Sequence, residues 1–350
     1  MKAIAERCNV MSSQNINKDL LEIIGKYPKT FLLMDEGSAI HCRSIIGDIP
    51  ALTEDNTIVI PQGDDHKNAE NALRIWNFLS SHGATRNSLL INLGGGMICD
   101  LGGFCASTFK RGMDFVNVPT TVLAQVDASL GGKTGMNLGN LKNEIGVFSM
   151  ARYVLICRDF LKTLDTANIL SGFAEMIKHA LIHDATSLNE LLSFDFENPD
   201  YDKLSSMIAD SIKIKEFFVE SDPKENGLRK ALNFGHTFGH AFETFALRHN
   251  RPVLHGYAVA WGMICELYLA SELSSLDKNE AKTIADRIID LYGKPDNTAN
   301  DYNELIELMT HDKKNNERGI NFSLLPRIGD VKIDYIAPLE AIENAFRFIA

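Results

Sequence analysis

The chain has no CxxC pair. Its six cysteines, Cys8, Cys42, Cys99, Cys105, Cys157 and Cys265, are scattered, so neither a thiolate zinc site nor a disulfide framework is indicated; they read as reduced, mostly buried small hydrophobes. Long apolar runs are missing too. The best candidate for a membrane span, Pro252 to Cys265, is too short, contains His255 and Gly256, and is bounded by Arg251 and Glu266. The opening MKAIAERCNVMSSQ holds no apolar signal-peptide core, so a cytoplasmic protein is expected. Positive charge is also scarce: 35 Lys and Arg against 46 Asp and Glu leave a net charge of -11, a field that repels DNA and anionic membrane surfaces. Nucleic acid and membrane are therefore not expected as partners, and a small anionic ligand would need a local basic cluster.

Three catalytic signatures are absent as well. No GxGxxG is present, which excludes a strict dinucleotide fingerprint, and no HExxH, which disfavours a zincin-type protease. Gly131-Gly-Lys-Thr134 invites a P-loop reading, but the required upstream glycine is replaced by Asp127, so a nucleotide triphosphatase is not expected.

What is present is enough for two domains: 350 residues, 45% of them hydrophobic. Short apolar runs at 30–34, 57–60, 88–93, 115–118 and 153–157 read as buried strands bounded by turn formers. Between them Ala69, Leu73, Trp76 and Leu79 recur at helical spacing, and strands alternating with helices predict a parallel sheet covered on both faces. After about residue 160 long helical patterns take over, at 171–183, 201–221, 228–247, 255–274, 277–292 and 301–314. Connectors at 193–200 and 293–300 separate them, and the alternation Ile320 to Leu325, ended by Pro326, reads as one small strand.

Two segments carry chemistry. Ser88 to Leu93 runs into Gly94-Gly-Gly-Met-Ile-Cys-Asp100, a strand, three glycines and a helix start, where backbone N–H groups can approach a pyrophosphate without a Cβ in the way. Asp35 closes an earlier strand, a position from which a carboxylate can hold ribose hydroxyls. The second segment, Leu232-Asn-Phe-Gly-His236-Thr-Phe-Gly-His240-Ala-Phe-Glu243, sets two imidazoles and a carboxylate on one helical stripe. A lone histidine on an apolar helix is ordinarily a core residue, but this pair can share or flank a divalent cation, and His255 and Glu175 could complete such a site.

Read together, in order, the segments Gly94 to Phe104, Phe109-Lys-Arg-Gly112, Val118 to Asp127, Gly131 to Gly135, Lys142-Asn143, Ala174-Glu175-Met-Ile-Lys178, Leu228 to His236, His240 and His255-Gly256 resemble the 3-dehydroquinate synthase family. The resemblance implies an α/β fold: an N-terminal Rossmann-like parallel-sheet domain at 1–160 that binds NAD, and a C-terminal all-helical domain at 161–350 that holds metal and substrate. It also implies a homodimer with the active site between domains. Carried over by residue, Glu175, His236 and His255 would be the ligands of one divalent metal, Zn or Co, and His240 would handle protons instead of binding metal. Lys178 and Asp127 match further catalytic positions. Arg111, reaching a neighbouring subunit's site, and Lys133, Asn143, Lys215, Arg229, Asn233 and Lys314 match substrate contacts, with Lys313 as the alternative to Lys314. Asp35, Asp64, Lys67, Gly95, Gly96, Met97, Asp100, Thr120, Thr121, Lys142, Phe160 and Thr163 match dinucleotide contacts.

Departures fall on the cofactor side: Asp64 stands where a glutamate is usual, Gly37 replaces a polar residue and Ala128 a serine. The implied reaction turns a phosphorylated seven-carbon keto-sugar acid into a carbocycle plus phosphate with no net redox change. Its doubly anionic substrate accounts for two sets of contacts, the cations Arg229 and Lys215 for the carboxylate, and the cations Lys133 and Arg111 with the Asn143 amide for the phosphate. Rival cyclases without a substrate carboxylate, and simple alcohol or glycerol dehydrogenases, have no use for both sets. A non-catalytic protein on a decayed scaffold would be missing ligands or cations, and none is missing.

Overall fold

The computed structural model describes residues 8–139, 141–183, 185–310 and 319–350. The chain falls into two compact units, one running to Asp165 with Tyr201–Ala209 added, the other made of Thr166–Asp200 and Asp210–Ala350. The division comes after Asp165 and not after 160, because the turn Arg158–Thr163 buries Phe160 wholly in the first unit's core.

In the first unit the order is β1 (Asn9–Ser12), α1 (Ile16–Ile24), β2 (Thr30–Asp35), α2 (Glu36–His41), β3 (Thr57–Ile60), α3 (Ala69–Ser81), β4 (Leu89–Gly94), α4 (Gly96–Thr108), β5 (Asp114–Pro119), β6 (Lys133–Leu138), β7 (Leu141–Phe148) and β8 (Tyr153–Ile156). Six strands form one parallel sheet ordered β1-β8-β5-β4-β2-β3, with Leu32 opposite Ile91 and Ile91 opposite Val116. β2 and β4 are buried along their whole length, as a parallel sheet covered on both faces requires. One face packs on Ile16, Leu20, Ile23 and Ile46. α4 crosses the sheet so closely that a Cβ on Gly102 would lie 2.1 Å from Asn92 Oδ1. The chain leaves β2 outward to β3 but leaves β4 the opposite way to β5, so their adjacent carboxyl ends form a topological switch point, where such sheets open a crevice.

Three strands of this unit were not foreseen, β1, β6 and β7. Asn9–Ser12 pairs with β8 as an edge strand too short and polar to show a pattern. The glycine-rich stretch at 131–139 is no loop before a helix: β6 and β7 pair antiparallel, Lys133 opposite Phe148, which also removes any P-loop geometry.

The second unit holds α5 (Thr166–His183), α6 (Ala185–Leu192), the later part of α7 (Tyr201–Ser221), α8 (His236–Arg248), α9 (His255–Leu273), α10 (Lys278–Tyr292), α11 (Tyr302–Thr310), β9 (Asn321–Arg327), β10 (Asp330–Ile336) and α12 (Leu339–Ile349). It is helical but not all-helical: β9 and β10 form an antiparallel pair, and the single strand expected at Ile320 to Leu325 is the first of the two. The helix expected over 228–247 is broken. A 3-10 turn, Leu228–Asn233, is followed by Gly235 at φ +81°, a left-handed conformation that ends one helix and starts the next. α5 and α9 are buried nearly throughout and form the unit's centre. No helix among the described residues is long and apolar enough to cross a membrane.

Candidate active site and metal centre

Three helices converge because glycines let their backbones touch. A Cβ on Gly256, the second residue of α9, would fall 1.8 Å from the Ser171 carbonyl oxygen of α5, and one on Gly262 would fall 1.9 Å from the Gly235 oxygen ahead of α8. Two polar contacts fasten these crossings: Gly256 N donates to Ser171 Oγ (3.1 Å), and Gly235 N donates to Glu266 Oε2 (2.8 Å). His236 thereby becomes the first residue of α8 and His255 the first of α9, both facing Glu175 in the middle of α5.

Glu175 is wholly buried. Its Oε1 lies 3.4 Å from His236 Nε2 and 3.7 Å from His255 Nε2, and the three ligand atoms all lie within 4.8 Å of one another. The carboxylate is split in its duties: Oε2 accepts from the Lys178 ammonium, while Oε1 accepts no hydrogen bond. A buried carboxylate oxygen left in that state is costly unless something cationic meets it. Both imidazoles have Nδ1 engaged on the far side, His236 with the Phe234 carbonyl (3.2 Å) and His255 with Glu243 Oε2 (3.2 Å). Acceptors at Nδ1 put the proton there and leave Nε2 with its lone pair toward Glu175, the state a metal ligand needs. One carboxylate and two imidazoles are a donor set suited to a zinc-type cation with open positions.

His240 sits one turn along α8, its ring 5.4 Å from that of His236 and 6.2 Å from that of His255. The stripe of His236, His240 and Glu243 is real as helix geometry, but the groups meeting at Glu175 come from three helices, and Glu243 turns to His255 of α9. Lys178, Lys215 and Arg229 are all buried cations of this unit. Arg229 donates to the Pro223 carbonyl (2.8 Å) from a loop shaped by Asp222, whose carboxylate accepts from the backbone of Gly227, Asn226 and Arg229. Those bonds, Gly227 foremost, hold the Asp222 carboxyl below its usual range. Asn233 donates to Glu225 Oε1 (2.9 Å). Tyr292 donates to the Leu170 carbonyl (2.9 Å), and burial, with Tyr257 and Glu175 nearby, pushes its hydroxyl well up, so it remains a donor. Lys313 and Lys314 lie outside the described residues.

In the first unit, Asp35 ends β2 and Gly94 ends β4 at the switch point. Asp35 Oδ1 is committed to Ser38 N (2.7 Å) as the cap of α2. No side chain caps α4, so its first amides have no side-chain acceptor, and Gly95 and Gly96 pass close to their neighbours, a Cβ there falling 3.4 Å from Thr121 Cγ2 and 3.0 Å from Ala128 Cβ. Met97 is half-buried in the first turn of α4, and Asp100 a turn further on. Buried Lys67 gathers two of the expected residues, donating to Asp100 Oδ2 and to Asn143 Oδ1, each at 2.5 Å. Lys142 pairs with Asp64 at 3.2 Å, where Asn137 also donates to Asp64. Thr120 is buried, and Thr121 Oγ1 accepts from Ala124 N (3.1 Å), opening the π-helical turn Ala124–Ala128 that carries Asp127. Thr163 Oγ1 donates to the carbonyl of Phe160, whose ring is core, so Phe160 offers a ligand only its backbone. Lys133 and Arg111 are exposed, the latter at φ +68°.

Sequence reasoning gave no role to Glu266 and did not pair Glu243 with His255. A carboxylate inside the otherwise apolar run of α9 was the signal for the first; nothing local could reveal the second.

The chain matches the family models described as 3-dehydroquinate synthase N-terminal over residues 57–171 and 3-dehydroquinate synthase C-terminal over 172–315. It is 46% identical over 341 residues to a 3-dehydroquinate synthase of Parabacteroides distasonis, with 97% of each chain covered. Among solved structures it resembles a 2-deoxy-scyllo-inosose synthase complexed with carbaglucose-6-phosphate, NAD+ and Co2+ (TM-score 0.86, 20% identity, 99% of each chain). It also resembles a 2-epi-5-epi-valiolone synthase of Streptomyces hygroscopicus with NAD+ and Zn2+ bound (TM-score 0.85, 23% identity, 100% of this chain and 98% of that one). At these identities the two structures speak to the fold alone.

Proposed function

The chain belongs to the 3-dehydroquinate synthase family, and on that premise we propose that it converts 3-deoxy-D-arabino-heptulosonate 7-phosphate to 3-dehydroquinate and phosphate, with NAD and one divalent metal, Zn2+ or Co2+, as cofactors. The product belongs to the shikimate route to aromatic amino acids. The observation that carries the metal reading is Glu175 Oε1, buried and accepting no hydrogen bond while two Nε2 atoms face it.

Glu175, His236 and His255 hold the metal, and the Gly94–Gly96 turn with Asp35, Asp64, Lys67, Met97, Asp100, Thr120, Thr121, Lys142, Phe160 and Thr163 holds the dinucleotide. What the bound cofactors supply is a Lewis acid and a reversible hydride store, so that a hydroxyl can become a ketone, acidify its neighbouring C–H, and be restored once phosphate has left. The chain's own groups do the rest. Lys178 orients Glu175 by taking Oε2, which keeps Oε1 turned to the two imidazoles. Arg229 and Lys215, buried and so little screened, clamp the substrate carboxylate; Lys133, Asn143, Arg111 and Lys314 take the phosphate; Asn233 and Asp127 hold hydroxyls. His240, outside the Glu175 cluster but ring against ring with His236, moves protons, a role worth ~10²- to 10⁴-fold in rate. The seven carbons remain together, the C–O bond to phosphate breaks with its electron pair, and the final aldol closure forms the carbocycle.

Incubating the chain with the seven-carbon keto-acid phosphate, NAD and Zn2+ or Co2+ tests this: phosphate and carbocycle should appear in equal amounts, and release of neither would refute it. Arg229→Ala should lower kcat/KM by roughly 30-fold or more, about 2 kcal/mol for a truncated buried charge contact, mainly through KM. Unchanged kinetics would point to a substrate without a carboxylate.

A homodimer and a cytoplasmic setting belong to the same proposal, the latter in keeping with six free cysteines. For the dimer, the β6–β7 hairpin carries exposed apolar side chains at both ends, Leu138 and Leu141 by its turn and Val147 and Phe148 at the far end, which a second copy would cover. Phe148→Glu is expected to shift the sedimentation profile to monomer; a profile identical to that of the unaltered chain would free this surface of the role.

A further inference from the structure

The two imidazoles facing Glu175 are held by unlike means. His236 gives its Nδ1 proton to a main-chain carbonyl, Phe234 O, which no substitution removes. His255 gives its own to a side chain, Glu243 Oε2 at 3.2 Å, brought from α8 to the start of α9. Glu243 is itself nearly buried, with 12% of its side chain exposed, so water competes weakly for that contact. Nothing in the Glu243 position is required by helix formation: it lies on α8 three residues beyond His240, where any good helix former would serve.

Resting on the metal reading above, we propose that Glu243 is a positioning residue of the metal centre, which fixes the tautomer and ring orientation of His255 so that Nε2 is the atom presented beside Glu175. Three consequences follow from hydrogen-bond chemistry. An ionised carboxylate only accepts, so it selects the tautomer with the proton on Nδ1. Without that acceptor the ring loses the contact that selects which nitrogen carries the proton, and the cation loses a pre-aimed ligand. The carboxylate also adds electron density to the imidazole, which strengthens it as a donor. Loss of such a partner typically costs about 10- to 100-fold in metal affinity.

The readout is metal affinity and coordination, independent of turnover. The full-length chain, stripped of metal, is titrated with Zn2+ against a chromophoric chelator, and with Co2+ while its visible absorption is followed. Glu243→Ala is expected to bind Zn2+ about 10- to 100-fold more weakly and to change the Co2+ band shape. Glu243→Gln, which keeps the size and an acceptor oxygen but not the charge, should fall between the two. Thermal melting of the metal-free proteins should move little, which separates positioning from folding; an unfolded Ala variant leaves the Gln variant to carry the comparison. His255→Ala serves as the reference for the underlying reading. If it abolishes binding while both Glu243 variants bind Zn2+ and colour with Co2+ as the unaltered chain does, the positioning role is wrong and the ligand set stands. Should His255→Ala bind as well as the unaltered chain, the ligand set itself is wrong and the role of Glu243 goes with it.

Discussion

Glu175→Gln should lose metal binding and turnover together, with kcat/KM down by about three orders of magnitude or more, the several kcal/mol that a Lewis acid supplies to such a step. The reason is visible in how the carboxylate is used. Its two oxygens face different charges, Oε2 the Lys178 ammonium and Oε1 the two Nε2 atoms, and an amide can serve at most one of these directions with an oxygen. The same substitution leaves Lys178, 1% exposed, as a buried cation without its anion, a loss worth about 3–5 kcal/mol of stability. Folding and chemistry can therefore be separated. In Glu175→Gln/Lys178→Met the orphaned cation is gone, so the melting temperature should recover while metal binding and phosphate release do not. Recovery of both in the double variant would mean that Glu175 matters only as the counter-ion of Lys178.

The parallel sheet was legible because its strands are short apolar runs between turn formers, and a strand buried on both faces has no other way to look. One of its edges was not: Asn9–Ser12 has no apolar pattern. The separate β6–β7 hairpin was missed as well, because most of its second strand is exposed and hydrophobicity says nothing there. In the second unit α7, α9 and α10 lie within a residue of the expected bounds, α6 and α12 were missed, and one expected helix is broken where backbone conformation decided. Asn233-Phe-Gly235-His236 keeps helical spacing in its side chains, yet Gly235 turns left-handed and Glu266, distant in sequence, secures its N–H. The site shows the same divide. Spacing alone put His236, His240 and Glu243 on one stripe and suggested a chelate within one helix. The groups that converge come instead from α5, α8 and α9, and that is a tertiary fact carried by backbone contacts at Gly256 and Gly262 which no periodicity records. The residues themselves offered His255 and Glu175 only as groups that could complete such a site; the ordered series of motifs, taken as a resemblance, singled out Glu175, His236 and His255 and set His240 aside.

Those backbone contacts set the second large effect. Gly256→Ala should destabilise the second unit by about 3 kcal/mol or more, the upper end for overpacking, and weaken Zn2+ binding by roughly two orders of magnitude. A methyl there would sit 1.8 Å from the Ser171 carbonyl oxygen and 2.5 Å from its carbon, both main chain, so no rotamer change relieves it. α5 cannot yield, because it is buried from Ile169 to Ile182. The start of α9 must therefore move away, and His255, the adjacent residue, moves with it from its 3.7 Å approach to Glu175. Metal–ligand distances hold to within about 0.2 Å of their standard values, so even a partial retreat is felt at the metal. Because the clash is with backbone, adding Ser171→Gly should not rescue the variant, whereas a side-chain clash would be relieved by it. Melting curves of the metal-free proteins and chelator competition give the two readouts, and a Gly256→Ala chain that holds Zn2+ as tightly as before would show that the closeness of α5 and α9 does not set the ligand geometry.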